Sequence, residues 1–436
     1  MSRSVFIETY GCQMNEADTE LMFGLLRHKG YAVADSAEDA DVVLINTCAV
    51  RERAEERVFG RLGWMKSLKE RRPEVVLGVA GCMAERMRET LVERAPHVDL
   101  VIGPDAYRRL PSLIDAGDEK DDVQVDVRLD RRETYHDVEI DRVPGVSGWI
   151  TVQRGCDKFC TFCIVPFVRG RERSLAPEEV VEQARSMAAD GFREVTLLGQ
   201  TVSSYYERGH DFADLLGMVH TVEGLHRIRY TSPYPNDFSD RLLDTLAALP
   251  RVGRHIHLPV QSGSSRVLRD MKRGYSAEGF MELIGRVRRT LPHHALSTDV
   301  IVGYPGETED DFQQTLELVR AVGFDFAFMF HYSERDGTFA SRRRPDDVPI
   351  EVKKDRLKRL IAVQEGISKV RNAAMIGSEV EVLVHGPTRR DPTQVIGRTS
   401  CFRTTILPGE GLEPGSLVNA RVTGSTSHTL FGDVIA

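Results

Sequence analysis

From Val5 to about Ile114 short apolar runs alternate with longer amphipathic ones: VFIETYG, a helix-like run from Glu16, VVLINT, an amphipathic run from Ala49, VVLGVAG, another helix-like run, and VDLVIG. Strand-length runs separated by helix-length ones predict a parallel α/β sheet, because each parallel neighbour is reached through a crossover long enough to hold a helix. The stretch Asp115–Arg142, with GDEKDD and RLDRRE, is highly charged, has little apolar periodicity and reads as a linker. Between about Gly148 and Arg371 six more apolar runs, WITVQRG, EVTLLGQ, RIRYTS, RHIHLPV, STDVIVG and FDFAFMFHYS, alternate with helical stretches. They predict an incomplete (β/α)6 barrel, a fold whose chemistry gathers at the C-terminal ends of its strands. Polar residues stand there: Gln200, Ser232, Gln261, Asp299 and Ser333. After Met375 the helical periodicity stops. SEVEVLVHG, TQVIGRTS, RTTILPG, SLVNARVTG and TLFGDVI then predict a small OB-like β-barrel, either an oligonucleotide-binding shape or a plain structural cap. The expected fold class is α/β, with an N-terminal sheet domain at 3–118, a linker at 119–141, a barrel core at 142–373 and a β-barrel at 375–436.

A chain of 436 residues exceeds what one hydrophobic core usually organises, in agreement with this division. No apolar stretch approaches the length of a membrane helix, and MSRSVFIETYGC lacks the apolar segment of a secretory signal. A cytoplasmic address without a membrane partner is therefore expected. A formal net charge of −8 excludes binding of nucleic acid through overall positive charge. Any RNA contact falls to local patches: Arg51 to Arg57, Lys66 to Arg72, Arg169 to Arg173, Arg342 to Arg344, or Arg389 with Arg390, each of which also suits an ordinary solvated face.

Six of the seven cysteines are organised. Cys156, Cys160 and Cys163 lie within GCDKFCTFCI, directly after the first barrel strand. Three thiolates on one loop hold three irons of a cubane and leave the fourth open, where S-adenosylmethionine can chelate. The spacing C-x3-C-x2-C lacks the two close ligand pairs of a structural zinc site, and a thioredoxin-like pair would leave Cys156 idle. Cys12, Cys48 and Cys82 are separated by 36 and 34 residues, each just past a predicted strand. Neighbouring parallel strands would gather them at one sheet edge, the place where open α/β sheets bind ligands. A second three-cysteine cluster is the inference; three unrelated buried thiols are the alternative.

Phe162, the aromatic residue before the last cysteine, makes the loop resemble those of the radical S-adenosylmethionine superfamily. That resemblance implies a 5′-deoxyadenosyl radical as the product of cleavage. It places Phe162 against the adenine, and Gln200 near the methionine amino group, although the usual Gly-Gly-Glu is absent. Ser232, Gln261 and Asp299 complete the expected S-adenosylmethionine pocket, which GYPGET at 303–308 helps to shape.

The motifs YGCQMN (10–15), INTCAVR (45–51), GCM (81–83), LPVQSG (258–263) and DVIVGYPGET (299–308), taken with the cysteine loop, resemble the methylthiotransferases over essentially the whole chain. The resemblance implies an N-terminal methylthiotransferase domain, a radical core and a C-terminal TRAM domain, with two 4Fe-4S clusters held by Cys12, Cys48 and Cys82 and by Cys156, Cys160 and Cys163. GCQMNEADTE and NTCAVRERAEERVFGRLG look like the MiaB-type branch, since sister branches usually carry Lys or Val where Gln13 and Met14 stand. That branch implies methylthiolation, at C2, of N6-isopentenyladenosine beside the tRNA anticodon. An aromatic C–H of this kind yields to a radical rather than to a base. An electron-donor protein and a sulfur source are implied partners. Arg389, Arg390, Arg398 and Arg403, with Arg51, Arg53 and Arg57, are candidates to face the RNA. The alternatives are a sister enzyme acting on threonylcarbamoyladenosine or on a ribosomal-protein aspartate, and a non-catalytic, metal-containing RNA-binding protein.

Overall fold

A computed structural model describes residues 3–49, 52–119 and 123–435, the side chains of 52–54 and 117–119 apart. The chain divides into two compact bodies. One contains the residues up to Val143 with Gln153–Asp157 and Cys163–Leu175; the other contains Pro144–Val152, Lys158–Phe162 and Ala176 onward.

The first body is built on a six-stranded sheet in the order Ala32–Val33, Ser4–Tyr10, Val42–Thr47, Val76–Gly81, Leu100–Ile102, Gln124–Asp126. All neighbours are parallel. VVLINT and VLGVAG are buried at every position, as central strands covered on both faces must be, and so read as unbroken apolar runs. One face packs Leu21, Met22 and Leu26 of helix Gln13–His28 with Leu110 and Ile114. The other packs Val58, Leu62, Met65 and Leu68 of helix Glu52–Arg71.

Described parts of the charged stretch read as a linker are structured. Gln124–Asp126 extends the sheet beside Leu100–Ile102, and Tyr135 is buried against Tyr107, its hydroxyl donating to Pro104 O at 2.7 Å. Three residues of strand and one aromatic anchor are too short a signal for a periodicity to register.

In the second body the six expected strands form two parallel three-stranded sheets: Arg227–Tyr230, Glu194–Leu198, Ser147–Thr151, and His255–His257, Ala295–Val302, Phe326–His331. A parallel bridge from Ile228 to Val252 adjoins the first. Helices Pro177–Ala189, Phe212–His220, Asp240–Ala248, Ala277–Thr290, Glu309–Val322 and Ile350–Ala373 supply the crossovers and close the sequence of units. The five C-terminal strands, Glu379–Pro387, Gln394–Thr399, Thr404–Pro408, Leu417–Ser425 and Thr429–Val434, make a closed barrel. It grips the core at the N-terminal ends of the core strands. Arg227 donates to Arg398 O at 2.7 Å and to Glu381 at 2.9 Å, Arg229 donates to Thr399 O at 2.9 Å, and Phe402 stacks on His255 with centroids 5.2 Å apart. The C-terminal ends of the core strands thus lie away from this contact.

Candidate cluster sites

Strand register explains the N-terminal cysteines. Tyr10 pairs with Thr47 and Thr47 with Gly81, so Cys12, Cys48 and Cys82 leave three adjacent strands at one level. Cys48 N donates to Tyr10 O at 3.0 Å. Cys12 caps helix Gln13–His28, its carbonyl accepting from Asn15 N at 2.8 Å, and Cys82 opens helix Cys82–Met87. The two asparagines of the flanking motifs lock this edge. Asn46 Nδ2 donates to Asn15 O at 2.7 Å and Asn15 Nδ2 to Asn46 Oδ1 at 3.1 Å, both residues fully buried.

The electrostatics act in opposite directions on two of the thiols. A hydrogen bond from Cys48 holds the Cys12 thiol down at about 6 against the opposing effect of burial, with Arg169 assisting. Burial pushes Cys82 up, and Arg169 opposes it. Arg169 Nε donates to Cys82 Sγ at 3.0 Å. Cys82 also shares an apolar cluster with Ala49, Ile164 and Val168, so the residue following Cys163 packs beside it. A donor set of three thiols at one sheet edge, with a buried cation at one sulfur, fits an iron–sulfur group. Among the described residues, no three His, Cys, Asp or Glu side chains already form a compact ion-coordinating group. The fit therefore rests on register, burial and charge.

The second triad occupies a pinned loop. Gly155 has φ +80°, and a Cβ there would meet Arg171 O at 2.0 Å, so glycine is required before Cys156. Cys156 N donates to Gly170 O at 3.1 Å. Arg273 Nη1 donates to Cys160 Sγ at 3.1 Å, and Thr161 is fixed by bonds to Met271 O at 3.0 Å and Asp270 O at 2.9 Å. Phe162 packs with Val267, Met271, Tyr304 and Tyr332. Cys401 stands apart from both triads in its contacts, its Sγ 3.8 Å from His293 O.

The other expected pocket residues all belong to the second body. Gln200 follows strand Glu194–Leu198, and Ser232 follows Arg227–Tyr230 with φ +54°. Gln261 is buried at φ +72°, its N–H donating to Asp299 O at 2.8 Å. The Asp299 carboxylate lies 3.4 Å from His257 Nε2. Left-handed backbone at two non-glycine residues past strand ends is costly and typical of binding sites, a signal invisible to sequence patterns. Sequence reasoning also missed Arg169 and Arg273 as sulfur partners.

Comparison with known proteins adds the family. Residues 4–103 match the uncharacterized protein family UPF0004, residues 150–319 the radical SAM superfamily and residues 373–435 the TRAM domain. A tRNA-2-methylthio-N(6)-dimethylallyladenosine synthase of Porphyromonas gingivalis is 44% identical over 99% of this chain and 95% of its own length. Its counterpart in Moorella thermoacetica is 44% identical over 98% of each. This chain belongs to the MiaB-type methylthiotransferase family. The match to the radical SAM superfamily spans Cys156, Cys160, Cys163, Phe162 and the other expected pocket residues. Among solved structures, the radical S-adenosylmethionine methyltransferase TsrM from Kitasatospora setae is similar in fold, with a TM-score of 0.56 at 16% identity over 75% of this chain and 73% of that one.

Within this family member the RNA candidates separate. Arg57, Arg389 and Arg390 are exposed. Arg398 instead lies over the Phe402 ring at 4.1 Å, and Arg403 pairs with Asp325 and Asn372. Arg51 and the Arg53 side chain lie outside the described residues. No helix among the described residues is long and apolar enough to cross a membrane.

Proposed function

We propose that this chain is a radical S-adenosylmethionine transferase that converts N6-isopentenyladenosine at tRNA position 37 to its 2-methylthio derivative. The observation that carries the reading is the register that brings Cys12, Cys48 and Cys82 off neighbouring strands at one level, in a chain that also carries the C-x3-C-x2-C loop. One triad suits radical chemistry in general; the second gives sulfur a place of its own. Near-full-length likeness to proteins named tRNA-2-methylthio-N(6)-dimethylallyladenosine synthase supports the substrate.

Cys12, Cys48 and Cys82 would hold one 4Fe-4S cluster, and Cys156, Cys160 and Cys163 the other. When bound, these groups supply an open iron for S-adenosylmethionine and a site for the sulfur to be transferred. The chain's own residues bind and orient. Phe162, packed with Met271 and Tyr304, would lie against the adenine. Gln200, Ser232, Gln261 and Asp299 would line the S-adenosylmethionine pocket, with Gln200 near the methionine amino group. Exposed Arg57, Arg389 and Arg390 serve the RNA phosphates. An electron-donor protein and a sulfur source act with the enzyme, and its setting is the cytoplasm.

The test is anaerobic reconstitution with an isopentenylated anticodon stem-loop, S-adenosylmethionine and reductant, followed by the mass of the nucleoside product. A methylthio group on isopentenyladenosine is expected. An unmodified stem-loop in a reaction that still forms 5′-deoxyadenosine moves the assignment to a sister substrate.

A further inference from the structure

Arg169 is 3% exposed and donates from Nε to Cys82 Sγ at 3.0 Å. Its Nη1 lies 2.6 Å from Asp18 Oδ2. Asp18 has no exposed surface, and its Oδ1 lies 3.0 Å from Nη1 of Arg154, itself 4% exposed. One carboxylate is thus shared by two buried guanidiniums; the buried pair Arg173–Asp105 adjoins them, and the three guanidiniums against two carboxylates leave one positive charge over. An uncompensated buried cation is costly unless an anionic group completes the arrangement. The atom on the far side of Arg169 is a cysteine sulfur, the kind of atom that becomes anionic when it ligates iron. The trio also draws on the flanks of both cysteine motifs: Asp18 follows Cys12 in helix Gln13–His28, Arg154 precedes Cys156, and Arg169 follows Cys163.

We propose that Arg169, held by the Asp18 carboxylate that Arg154 also engages, is the positioning residue of the Cys12–Cys48–Cys82 site, orienting Cys82 and raising the reduction potential of the iron–sulfur group held there. The inference rests on the ligand assignment proposed above. Hydrogen bonds and positive charge at ligating sulfur stabilise the reduced, more negative state of such a group. Arginine suits the task because its planar fork serves sulfur and carboxylate at once without losing its charge. Cys160 has a comparable partner in Arg273, but that guanidinium is anchored on neutral oxygens, Tyr275 Oη at 2.9 Å and Pro259 O at 2.9 Å. A carboxylate therefore moderates the cation at Cys82.

The test uses the full-length chain with Cys156→Ala, Cys160→Ala and Cys163→Ala, so that only the first triad remains, reconstituted with iron and sulfide. A parent that takes up neither overturns the ligand assignment and the inference with it. In a loaded parent, Arg169→Gln is expected to move the midpoint potential to a more negative value and to lose iron to a chelator about 10- to 100-fold faster. Arg169→Lys, which keeps the charge, is expected to recover most of the potential but not the retention of iron. Asp18→Asn removes the moderating charge and is expected to move the potential the opposite way, which decides the matter even if Arg169→Gln does not fold. A potential unchanged in Asp18→Asn overturns the inference, as does a shift in Arg169→Lys equal to that in Arg169→Gln.

Discussion

Arg229 donates from Nε to Glu194 Oε2 at 2.6 Å, and both side chains are buried where the C-terminal barrel meets the core. Burial alone would raise the Glu194 carboxyl, but Arg229, with His385 and Arg227, pulls it from 4.5 to about 2. The pair therefore contributes stability that is fully present above pH 4.5 and is lost as pH falls toward 2. Glu194→Gln is expected to flatten this acid limb in denaturant unfolding, a difference of roughly 3 kcal/mol between its ends. Arg229→Met, which strands the carboxylate, costs about 3–5 kcal/mol at pH 7.

Glu307, at the end of the GYPGE turn, shows the opposite sign. Burial raises it from 4.5 to about 7, against Arg356 and the N–H groups of Gly303 and Tyr304. A raised folded-state value means that stability is greatest below about pH 4.5 and declines as pH rises through 7. Glu307→Gln is expected to remove that decline, gaining on wild type at pH 8 relative to pH 5 in paired thermal melts. A wild-type decline that persists in the variant contradicts the assignment.

The two triads separate in analysis. Wild type reconstituted under anaerobic conditions is expected to hold about eight irons per chain. Cys12→Ala is expected to lower iron while leaving 5′-deoxyadenosine formation in place and abolishing the methylthio product. Cys160→Ala is expected to abolish both. Iron analysis, nucleoside chromatography and product mass read the three outcomes.

Phe402, the residue after Cys401, places an aromatic ring against His255. The structure uses its ring for packing: it lies parallel to His255 and beneath the Arg398 and Arg229 guanidiniums at 4.1 and 4.8 Å. Phe402→Leu keeps apolar volume but loses the ring contacts, and about 0.5–1.5 kcal/mol of stability is expected to go with them. Chemical denaturation checks the value. Stem-loop affinity is expected to change less than in Arg389→Ala with Arg390→Ala.

What sequence disclosed and what it concealed follow the range of the interactions. Cysteine spacing was legible because one βα unit has a nearly fixed length, so Cys12, Cys48 and Cys82 fell just past the ends of three strands that neighbour one another in the sheet. The core strands were legible from their apolar runs, and the C-terminal barrel from its turns. Gln124–Asp126 was not, because a three-residue strand on an already formed edge needs no pattern of its own. By sequence Arg169 belongs to a basic patch that suits RNA or a solvated face, and only long-range packing places it against Cys82 and Asp18. Arg403 is by sequence one candidate to face RNA, yet Asp325, adjoining strand Phe326–His331, captures it. Charge on a side chain is local information; its counter-charge is not.

Gly81 offers the sharpest test of the strand-edge geometry. Its φ of +94° lies in the region that L side chains avoid, and a Cβ there would stand 2.6 Å from Thr47 O and 2.5 Å from Asn46 Oδ1. Thr47 pairs with Gly81 and immediately precedes Cys48. The added methyl group would therefore push apart the two strand ends that carry Cys48 and Cys82, and it would disturb the Asn15–Asn46 amide pair as well. Backbone strain of this kind costs about 1–3 kcal/mol, to which the steric contact adds. Gly81→Ala is expected to keep its circular dichroism and its 5′-deoxyadenosine formation, since the second triad is untouched, but to retain only about half the iron of wild type. Gly30→Ala is the control: it too has positive φ, at +86°, but nothing lies within 4 Å of its Cβ position. It should therefore lose stability without losing iron. Equal iron in Gly81→Ala and wild type would show that the spacing of these strand ends does not govern the site.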